Sequence, residues 1–453
     1  MFIRLIVFLF SAYFISFDTL QAVGLTTVFE LIYRLLFLSN KQFVFREWVM
    51  LLYSFNYVIA PMITYRLDDS MVKYGMKISP DSYFLLAVPG ILFFTLGLYI
   101  IPTRVFVPDF NSVKKSALVN DEFLFKVTLL GIILRLLSTI GFGEISFIIY
   151  LASLMRFVGI FSLFSINPKK YSSLLAIVFS IDLFSSFLAG MYHDVVMWLV
   201  FFAFYFVYSV KPSVQVKLLG ALSFFIFILF LQAIKGVYRE EVWFGSKAAT
   251  LETFGQISST VATSENLLGE DNLLATLSRS NQAWIFASTV DNMDNTKNFQ
   301  GLTNVNKYIE AALLPRFLAP NKIKSGDKEI FNEFSGHVIN EGTSMGLGIF
   351  ADGYIAYGAW GVYIFGFALG LIFSLTFKLV ERWSKISPFY VLLLLPLLNY
   401  AVRPDCELQT TINHLAKGIL LYGFLVYLTR KRFTLDSQEN KRKLVHLNLV
   451  SSK

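Results

Sequence analysis

Several cationic side chains stand at the ends of apolar runs, where they could bind an anionic ligand at a membrane surface. Lys235 and Arg239 end one run in QAIKGVYREEVW, Arg403 ends another in NYAVRPDCE, and Arg316 and Lys322 lie between them. The guanidinium group suits bidentate contact with phosphate. For any one of these residues, a side chain that reaches toward lipid headgroups is the simpler explanation. For the set, an anionic lipid-linked ligand becomes a competing explanation.

The sequence contains no motif that is typical of a metal-binding or nucleotide-binding site. It has four His, none in an HExxH or Cys/His arrangement, and it contains no Walker A or dinucleotide-binding motif. The sequence therefore predicts no metal and no cofactor, so any reaction would depend on an activated substrate.

A polar, glycine-rich stretch, NEGTSMGLGIFADGYIAYG, occupies Asn340–Gly358 directly before an apolar run and includes Glu341 and Asp352. Glycine lets a backbone turn tightly and approach a neighbour closely. Irregular backbone at membrane depth is tolerated where it is buried in protein or lines a wet cavity. We therefore expect NEGTSMGLGIFADGY (residues 340–354) to form a broken entry into a membrane span. The alternative is an ordinary helix start with Thr343 or Ser344 as N-cap.

The composition indicates that lipid surrounds most of the chain. Of 453 residues, 55% are hydrophobic and 15% charged, and the mean hydropathy is +0.60, whereas soluble domains are about 25% charged. Uninterrupted apolar runs favour helices over an alternating barrel pattern. The fold predicted is an all-α polytopic integral membrane protein with about twelve spans. The candidate runs are Phe2–Phe17, Gln21–Leu38, Trp48–Tyr65, Ser82–Ile101, Phe123–Ile140, Ser146–Ile166, Ser172–Gly190, Val195–Val210, Leu218–Ile234, Gly358–Phe377, Pro388–Val402 and Ile412–Leu428. The first is expected to be retained, with a cleaved signal peptide as the alternative.

Basic residues in the short loops set the predicted orientation, because Lys and Arg accumulate on the cytoplasmic side. The sequence divides into an N-terminal transmembrane bundle of about nine spans (1–234), a large external loop with amphipathic helices (235–345), about three C-terminal spans (346–429) and a basic cytoplasmic tail (430–453). The net charge of +8 is thus mainly an orientation signal. It is not evidence for nucleic acid as a partner.

Charged residues within apolar runs need partners in lipid. Glu30 and Arg34 are one helical turn apart and are expected to pair with each other. Arg156 and Asp182 lie in separate runs and are candidates for a buried ion pair.

Two further patterns concern packing. Gly366 and Gly370 form a GxxxG pair, which predicts close contact between helices. Asn304–Leu318 is amphipathic, and either a horizontal interfacial helix or a helix of a small soluble cap fits it.

Two segments, PRFLAPNK and GTSMGLGIFADGYIAYGAWGV, resemble the Wzy family of O-antigen polysaccharide polymerases. The resemblance is strongest from Arg316 to Gly370 and extends weakly to GMYHDVVMW and KGVYREEVW. It implies a GT-C-like membrane glycosyltransferase of the bacterial inner membrane with its active site facing the periplasm. Such enzymes transfer a growing glycan from undecaprenyl diphosphate to the next lipid-linked repeat unit without a metal.

That chemistry assigns roles to the cations. The lipid diphosphate leaves with several negative charges, which cations must stabilise in the absence of a metal. Arg239, Arg316 and Arg403 are the candidates for this role, with Lys235 and Lys322 in support.

The acceptor hydroxyl would benefit from a general base. His337 is the only His of the external loop and is the first candidate, with Glu341 and Asp352 as rivals. Asp352 and Tyr354 are further candidates to bind sugar hydroxyls or to orient a cation.

The resemblance also implies partners and leaves alternatives. Donor and acceptor would be undecaprenyl-diphosphate-linked glycans within the bilayer, and a Wzz-type co-polymerase would set chain length. An O-antigen ligase on the same plan is one alternative. A flippase or transporter of lipid-linked oligosaccharides is another, although transporters usually show paired repeats, which this sequence lacks.

Overall fold

A computed structural model describes residues 7–10, 18–68, 70–138, 145–188, 192–243, 245–248, 250–262, 267–314, 322–323, 326–340 and 344–433. All regular structure in these ranges is helical. The α-helices are α1 Thr19–Phe37, α2 Phe45–Ser54, α3 Ala60–Thr64, α4 Pro80–Tyr99, α5 Phe110–Val119, α6 Asp121–Leu137, α7 Ser146–Ser153, α8 Met155–Ile166, α9 Pro168–Leu188, α10 His193–Val210, α11 Val214–Tyr238, α12 Leu251–Val261, α13 Glu270–Arg279, α14 Ala283–Thr296, α15 Thr303–Leu313, α16 Lys328–Ser335, α17 Ile349–Ile386, α18 Leu394–Leu398 and α19 Leu408–Phe433.

Seven helical segments are long and apolar enough to cross a bilayer: Thr19–Phe37, Pro80–Tyr99, Ser146–Ile166, His193–Val210, Val214–Val242, Ile349–Ile386 and Leu408–Phe433. They confirm the prediction of an all-helical, multi-pass membrane protein. The predicted span Phe2–Phe17 lies largely outside the described residues. The other predicted spans correspond to helices that are shorter, more polar or interrupted. For example, a π-helical turn, Phe55–Ile59, joins α2 to α3.

The bundle has two ends, which we call the loop face and the tail face. The loop face is the end at which α11 finishes and α17 begins, so it carries residues 243–348. The tail face is the end at which α19 finishes at Phe433. At the tail face, the Asn40 side chain donates to the Pro212 carbonyl (3.1 Å) and Lys217 Nζ donates to the Leu36 carbonyl (2.6 Å), which joins α1 to the start of α11.

Helices α4 and α17 form the central contact of the bundle, and glycines permit it. A Cβ atom on Gly366 would stand 2.7 Å from the Gly90 carbonyl oxygen, and one on Gly370 would overlap the Phe94 carbonyl oxygen. Gly97 of α4 meets the backbone of Phe367 and Leu371 in the same way. The packing role predicted for the GxxxG pair is confirmed.

The charges buried within the bundle are paired. Arg156 and Asp182 are each about 1% exposed, and Arg156 Nε donates to Asp182 Oδ2 at 3.0 Å. Arg135 Nε donates to the other carboxylate oxygen at 3.1 Å, and Arg156 also donates to the Ser153 carbonyl. We call Arg135, Arg156 and Asp182 the ion triad. The ion triad confirms the predicted Arg156–Asp182 pair. The predicted Glu30–Arg34 pair is also confirmed, since Arg34 Nε donates to Glu30 at 2.8 Å.

Helix α17 is broken near its start. Tyr357 and Gly358 have non-helical backbone angles, and Gly358 has a φ of +59°. The preceding carbonyls of Ile355 and Ala356 accept hydrogen bonds from the backbone of Gln300 and Gly301 (2.9 and 3.1 Å). An interruption is therefore present, but at Tyr357–Gly358, beyond the stretch 340–354 for which it was predicted. The segment between α14 and α15 satisfies the carbonyls that the break releases.

Candidate functional site at the loop face

Four cationic side chains from three segments of the chain interact electrostatically at the loop face. Lys235 lies in the last turn of α11, Arg239 directly follows that helix, and Arg279 ends α13. Arg403 lies in the segment between α18 and α19. The positive charges of Arg279, Arg239 and Arg403 all act on Lys235, and Arg279 also acts on Arg239. We call these four residues the cation cluster.

Arg403 is fixed by three contacts. Its guanidinium forms a two-point ion pair with Asp405, with Nε 3.0 Å from Oδ1, and lies 4.6 Å from the centre of the Tyr400 ring. Burial alone would lower the pKa of Arg403 and raise that of Asp405, but the mutual attraction outweighs it. The pKa of Arg403 is raised and that of Asp405 lowered. Both groups are therefore ionised at neutral pH.

Positive charge exceeds negative charge in the cluster. The strongest charge interactions of Lys235 among the described residues are with Arg279, Arg239 and Arg403, ahead of that with Asp405. Like charges held together at the edge of a low-dielectric interior repel one another. An anionic ligand would remove that repulsion and would replace the water lost by these side chains.

Polar atoms without hydrogen-bond partners in the described structure surround the cluster: Tyr192 Oη, His193 Nε2 and Asn399 Oδ1. The Tyr192 phenol interacts electrostatically with Arg239, and the His193 ring interacts with Arg403 and lies 6.4 Å from the Tyr400 ring. Buried polar groups in native proteins are nearly all paired, and exceptions often mark sites that bind water, ions or ligands. These three atoms therefore mark a second, neutral half of the site.

Hydrogen bonds with neighbouring helices hold the neutral half in place. Asn399 Nδ2 donates to Tyr150 Oη at 3.2 Å, and that hydroxyl donates to Asp194 at 3.0 Å. A further hydrogen bond holds the segment between α18 and α19: Tyr57 Oη donates to the Pro404 carbonyl at 3.1 Å. The position of Arg403 is thus set by contacts with several helices.

The glycine-rich stretch packs directly against the segment that carries Arg403. A Cβ atom on Gly346 would overlap the Asp405 carbonyl oxygen and would stand 2.5 Å from Glu407 Oε2. Gly348 has a φ of +84°, and a Cβ atom there would stand 2.6 Å from Tyr57 Oη. The glycines are therefore needed for close backbone approach. The groups that approach these glycines closely are Asp405, Glu407 and Tyr57 of the protein itself.

Asp352, in the first turn of α17, lies against the start of α19. It is 4% exposed, and its two carboxylate oxygens accept from Tyr308 Oη (3.3 Å) and from the backbone N–H of Leu408 (2.8 Å). A carboxylate at a helix N-terminus satisfies a free N–H and interacts well with the helix dipole. The adjoining pocket, which Glu407 and Asp327 also line, has a volume of about 10 Å³. That is room for about one water molecule, not a sugar.

The other predicted site residues within the described ranges lie apart from these contacts. His337 Nε2 is 3.0 Å from the Ser288 hydroxyl, and its ring lies 5.4 Å from that of Trp284. Tyr354 Oη donates to Asp294 at 2.8 Å. Lys322 Nζ donates to the carbonyls of Ala311 (3.2 Å) and Leu314 (2.6 Å), so it caps the C-terminal end of α15.

The structure thus brings together Lys235, Arg239 and Arg403 of the predicted set, while Arg316 and Glu341 lie outside the described residues. Sequence reasoning missed Arg279 and Asp405. Arg279 ends a polar, amphipathic stretch and looks like any surface charge of the external loop. Asp405 could have been found, because it follows Arg403 by two residues across a proline.

Comparison with known proteins gives a family without a function. A family model described as a domain of unknown function (DUF8712) matches residues 27–384, which is more than half of the chain, so the chain belongs to this family. No curated protein and no solved structure matches the chain. The matched region includes Lys235, Arg239 and Arg279.

Proposed function

We propose that this DUF8712 protein is a membrane glycosyltransferase that polymerises undecaprenyl-diphosphate-linked oligosaccharide repeat units at its loop face. The observation that carries the proposal is the convergence of Lys235, Arg239, Arg279 and Arg403 on one site at the membrane surface. A lipid diphosphate presents its charge at that depth while its tail stays in the bilayer.

The proposed reaction is a substitution at a sugar carbon. The acceptor hydroxyl attacks the anomeric carbon of the donor glycan, a C–O bond forms, and the bond from that carbon to the diphosphate oxygen breaks. The diphosphate leaves with the electron pair. Cations positioned before the reaction stabilise that developing charge without reorganisation, and loss of a single such group costs about 10²–10³ in rate in well-studied enzymes.

The hydroxyl proton needs an acceptor near the cations. Both oxygens of Asp352 accept hydrogen bonds within the protein, and the contacts of His337 are with Ser288, Trp284 and Lys77. His193 interacts with Arg403, and its Nε2 has no partner in the described structure. We therefore place His193 ahead of His337 and Asp352 as the general base.

The finer architecture belongs to the same proposal. We propose about twelve spans in a GT-C-like arrangement, in the bacterial inner membrane. Helices α17 and α19 end at the tail face with Lys385, Arg430, Lys431 and Arg432. By the positive-inside rule the tail face is cytoplasmic, so the cation cluster faces the periplasm. A Wzz-type partner would set the length of the product.

The decisive experiment is complementation of a strain of the source organism that lacks the gene. Wild type, Arg403→Ala and the control Lys307→Ala, which removes an exposed cation of α15, are expressed at equal membrane abundance. Surface glycans are separated by size. We expect long ladders from wild type and the control, and only single-repeat glycan from Arg403→Ala. A normal ladder from Arg403→Ala would exclude this arginine from the site.

The same strain distinguishes the alternatives. Loss of a polymerase leaves single lipid-linked repeat units on the periplasmic side. Loss of a flippase leaves them on the cytoplasmic side, and loss of a ligase leaves long glycan attached to the lipid carrier. Either of the last two results would overturn the polymerase proposal.

A further inference from the structure

An apolar cavity of about 140 Å³ lies between α6, α7, α8, α19 and the 3₁₀ turn Pro388–Leu393, near the tail face. Residues that line it include Phe123, Val127, Leu130, Ala152, Leu393 and Phe433. The cavity therefore runs from the tail-face end of α6 and α19 toward the middle of the bundle. The cation cluster lies at the opposite face, so the cavity is separate from the site described above.

The side-chain hydroxyls in the cavity wall are already hydrogen-bonded within the protein, so they do not favour a bound water molecule. The lining includes the hydroxyls of Tyr390 and Thr429, which lie 2.9 Å apart, and Thr429 also donates to the Leu425 carbonyl at 2.7 Å. These polar atoms are thus satisfied by protein. An apolar cavity of about 150 Å³ in a soluble protein stays dry and takes up apolar ligands. This cavity has the same character and adjoins lipid.

The cavity opens toward the bilayer along α6. Leu130 lines it and is 55% exposed, and Ile133, one turn further along the helix, is 53% exposed. Helix α6 packs against α8, which belongs to the candidate membrane span Ser146–Ile166, so exposed leucine and isoleucine side chains on its outer side are positioned to face lipid chains. An acyl chain can therefore enter from the side without crossing a polar surface.

Positive charge surrounds the tail-face end of the cavity. The Arg432 guanidinium lies 4.7 Å from the ring centre of Phe123, a lining residue, and that of Arg430 lies 4.6 Å from the Tyr427 ring. Lys431 and Lys126 are close in sequence to lining residues of α19 and α6, and α6 begins with Asp121 and Glu122, which pairs with Lys126. In the described parts of these two helix ends, four cations thus accompany two carboxylates.

We propose that the cavity holds a segment of one acyl chain of an anionic phospholipid, the rest of which lies in the bilayer, with Arg432 binding the lipid phosphate at the tail face. The apolar walls fit the chain, and the excess of cations fits an anionic headgroup better than a zwitterionic one. This binding site does not depend on the proposed polymerase function.

The test measures lipid retention by the full-length protein, purified in detergent, by native mass spectrometry. Phosphatidylglycerol and phosphatidylcholine are added in defined amounts. We expect one phosphatidylglycerol per protein, bound about tenfold more tightly than phosphatidylcholine, as one charge-assisted contact implies. Equal retention of the two lipids by wild type would overturn the assignment of the headgroup.

Two variants test the binding of the acyl chain and the binding of the headgroup separately. Ala152→Phe fills the cavity and should weaken retention of both lipids about tenfold, as for loss of a well-buried apolar group. Arg432→Gln should remove the preference for phosphatidylglycerol and weaken retention of phosphatidylcholine much less, because the choline ammonium already offsets the attraction of that phosphate to the guanidinium. Arg432→Lys should keep most of the preference. The controls, Leu96→Phe on the lipid side of α4 and Lys385→Gln at the tail face, should behave as wild type.

Each variant also has an outcome that would refute the site. Unchanged retention by Ala152→Phe would place the lipid elsewhere, and an unchanged preference in Arg432→Gln would remove Arg432 from the headgroup site. If Ala152→Phe fails to fold, Leu130→Phe narrows the entrance from a lipid-exposed position, and the same loss of retention is expected.

Discussion

The protein contains two groups of charged side chains with opposite designs. The ion triad lies within the bundle, where Arg156 donates to both oxygens of Asp182 and to Ser153. The cation cluster lies at the loop face, where the strongest charge interactions of Lys235 among the described residues are with three arginines, ahead of that with Asp405. Both oxygens of Asp182 accept hydrogen bonds from arginines, whereas Tyr192, His193 and Asn399 near the cluster each have an atom without a partner in the described structure.

This difference teaches how to separate structural charges from binding charges. A charge in lipid that is paired and fully hydrogen-bonded holds helices together, since breaking the pair would leave an isolated ion in a low-dielectric interior. In the function proposed here, cations gathered beside polar atoms without partners in the described structure would be completed by a bound ligand. Mutations should therefore change stability in the first group and ligand binding in the second.

The largest effect is expected from Asp182→Leu, which breaks the ion triad. It leaves two arginines in the bundle without their carboxylate and should lower the free energy of unfolding by about 3–5 kcal/mol. Unfolding in detergent with increasing SDS measures the change. The matched control is the double variant Arg156→Met/Asp182→Leu, which should recover most of the loss. A single variant as stable as wild type would show that the triad has no structural role.

The next effect is expected from Lys235→Met in the cation cluster. Removal of one charged contact, worth about 1.5–3 kcal/mol, should weaken binding of a soluble lipid diphosphate such as farnesyl diphosphate at least about tenfold. Stability should stay the same or rise, because the repulsion from Arg239, Arg279 and Arg403 is relieved. Calorimetric titration and the unfolding assay check both parts. If stability falls and binding does not, the two groups of charges are alike and the distinction fails.

A smaller effect is expected from Tyr57→Phe, which tests how the Arg403 segment is held. The variant removes the hydrogen bond to the Pro404 carbonyl (3.1 Å) and should cost about 0.5–1.5 kcal/mol of stability. Diphosphate binding should weaken by a similar factor, since Arg403 precedes Pro404. Tyr65→Phe, which removes a bond to the Ile78 carbonyl, is the matched control. It should lose comparable stability but keep full binding.

The smallest effect concerns pH and His337. Partial burial, and to a lesser extent the charge of Lys77, lowers the pKa of His337 below its ordinary value of 6.5. The unfolded chain then binds this proton more readily than the folded one. The stability contribution is complete above pH 6.5 and is lost as the pH falls through the lowered pKa. His337→Gln should therefore lose less stability between pH 7 and pH 5 than wild type, and an identical pH profile would contradict this.

Local patterns predicted much of the architecture, because in lipid each span must satisfy its own backbone and its buried charges need nearby partners. The Glu30–Arg34 pair and the GxxxG contact depend on spacing along one helix, so the sequence was sufficient to predict them. The meeting of Arg156 with Asp182 was found because charges in apolar runs are rare. The helical capping role of Asp352 was missed, because Leu408, its partner, is 56 residues away.

The sequence by itself determined that the chain is an all-helical membrane protein, where its helices run and which cations stand at their ends. Hydropathy and spacing carry that information, since each helix forms from residues that are neighbours along the chain. Only the tertiary structure decided that Lys235, Arg239, Arg279 and Arg403 meet while Lys322 caps a helix. Distant segments meet only because of how the helices pack. The charge pattern within one segment carries no information about that packing.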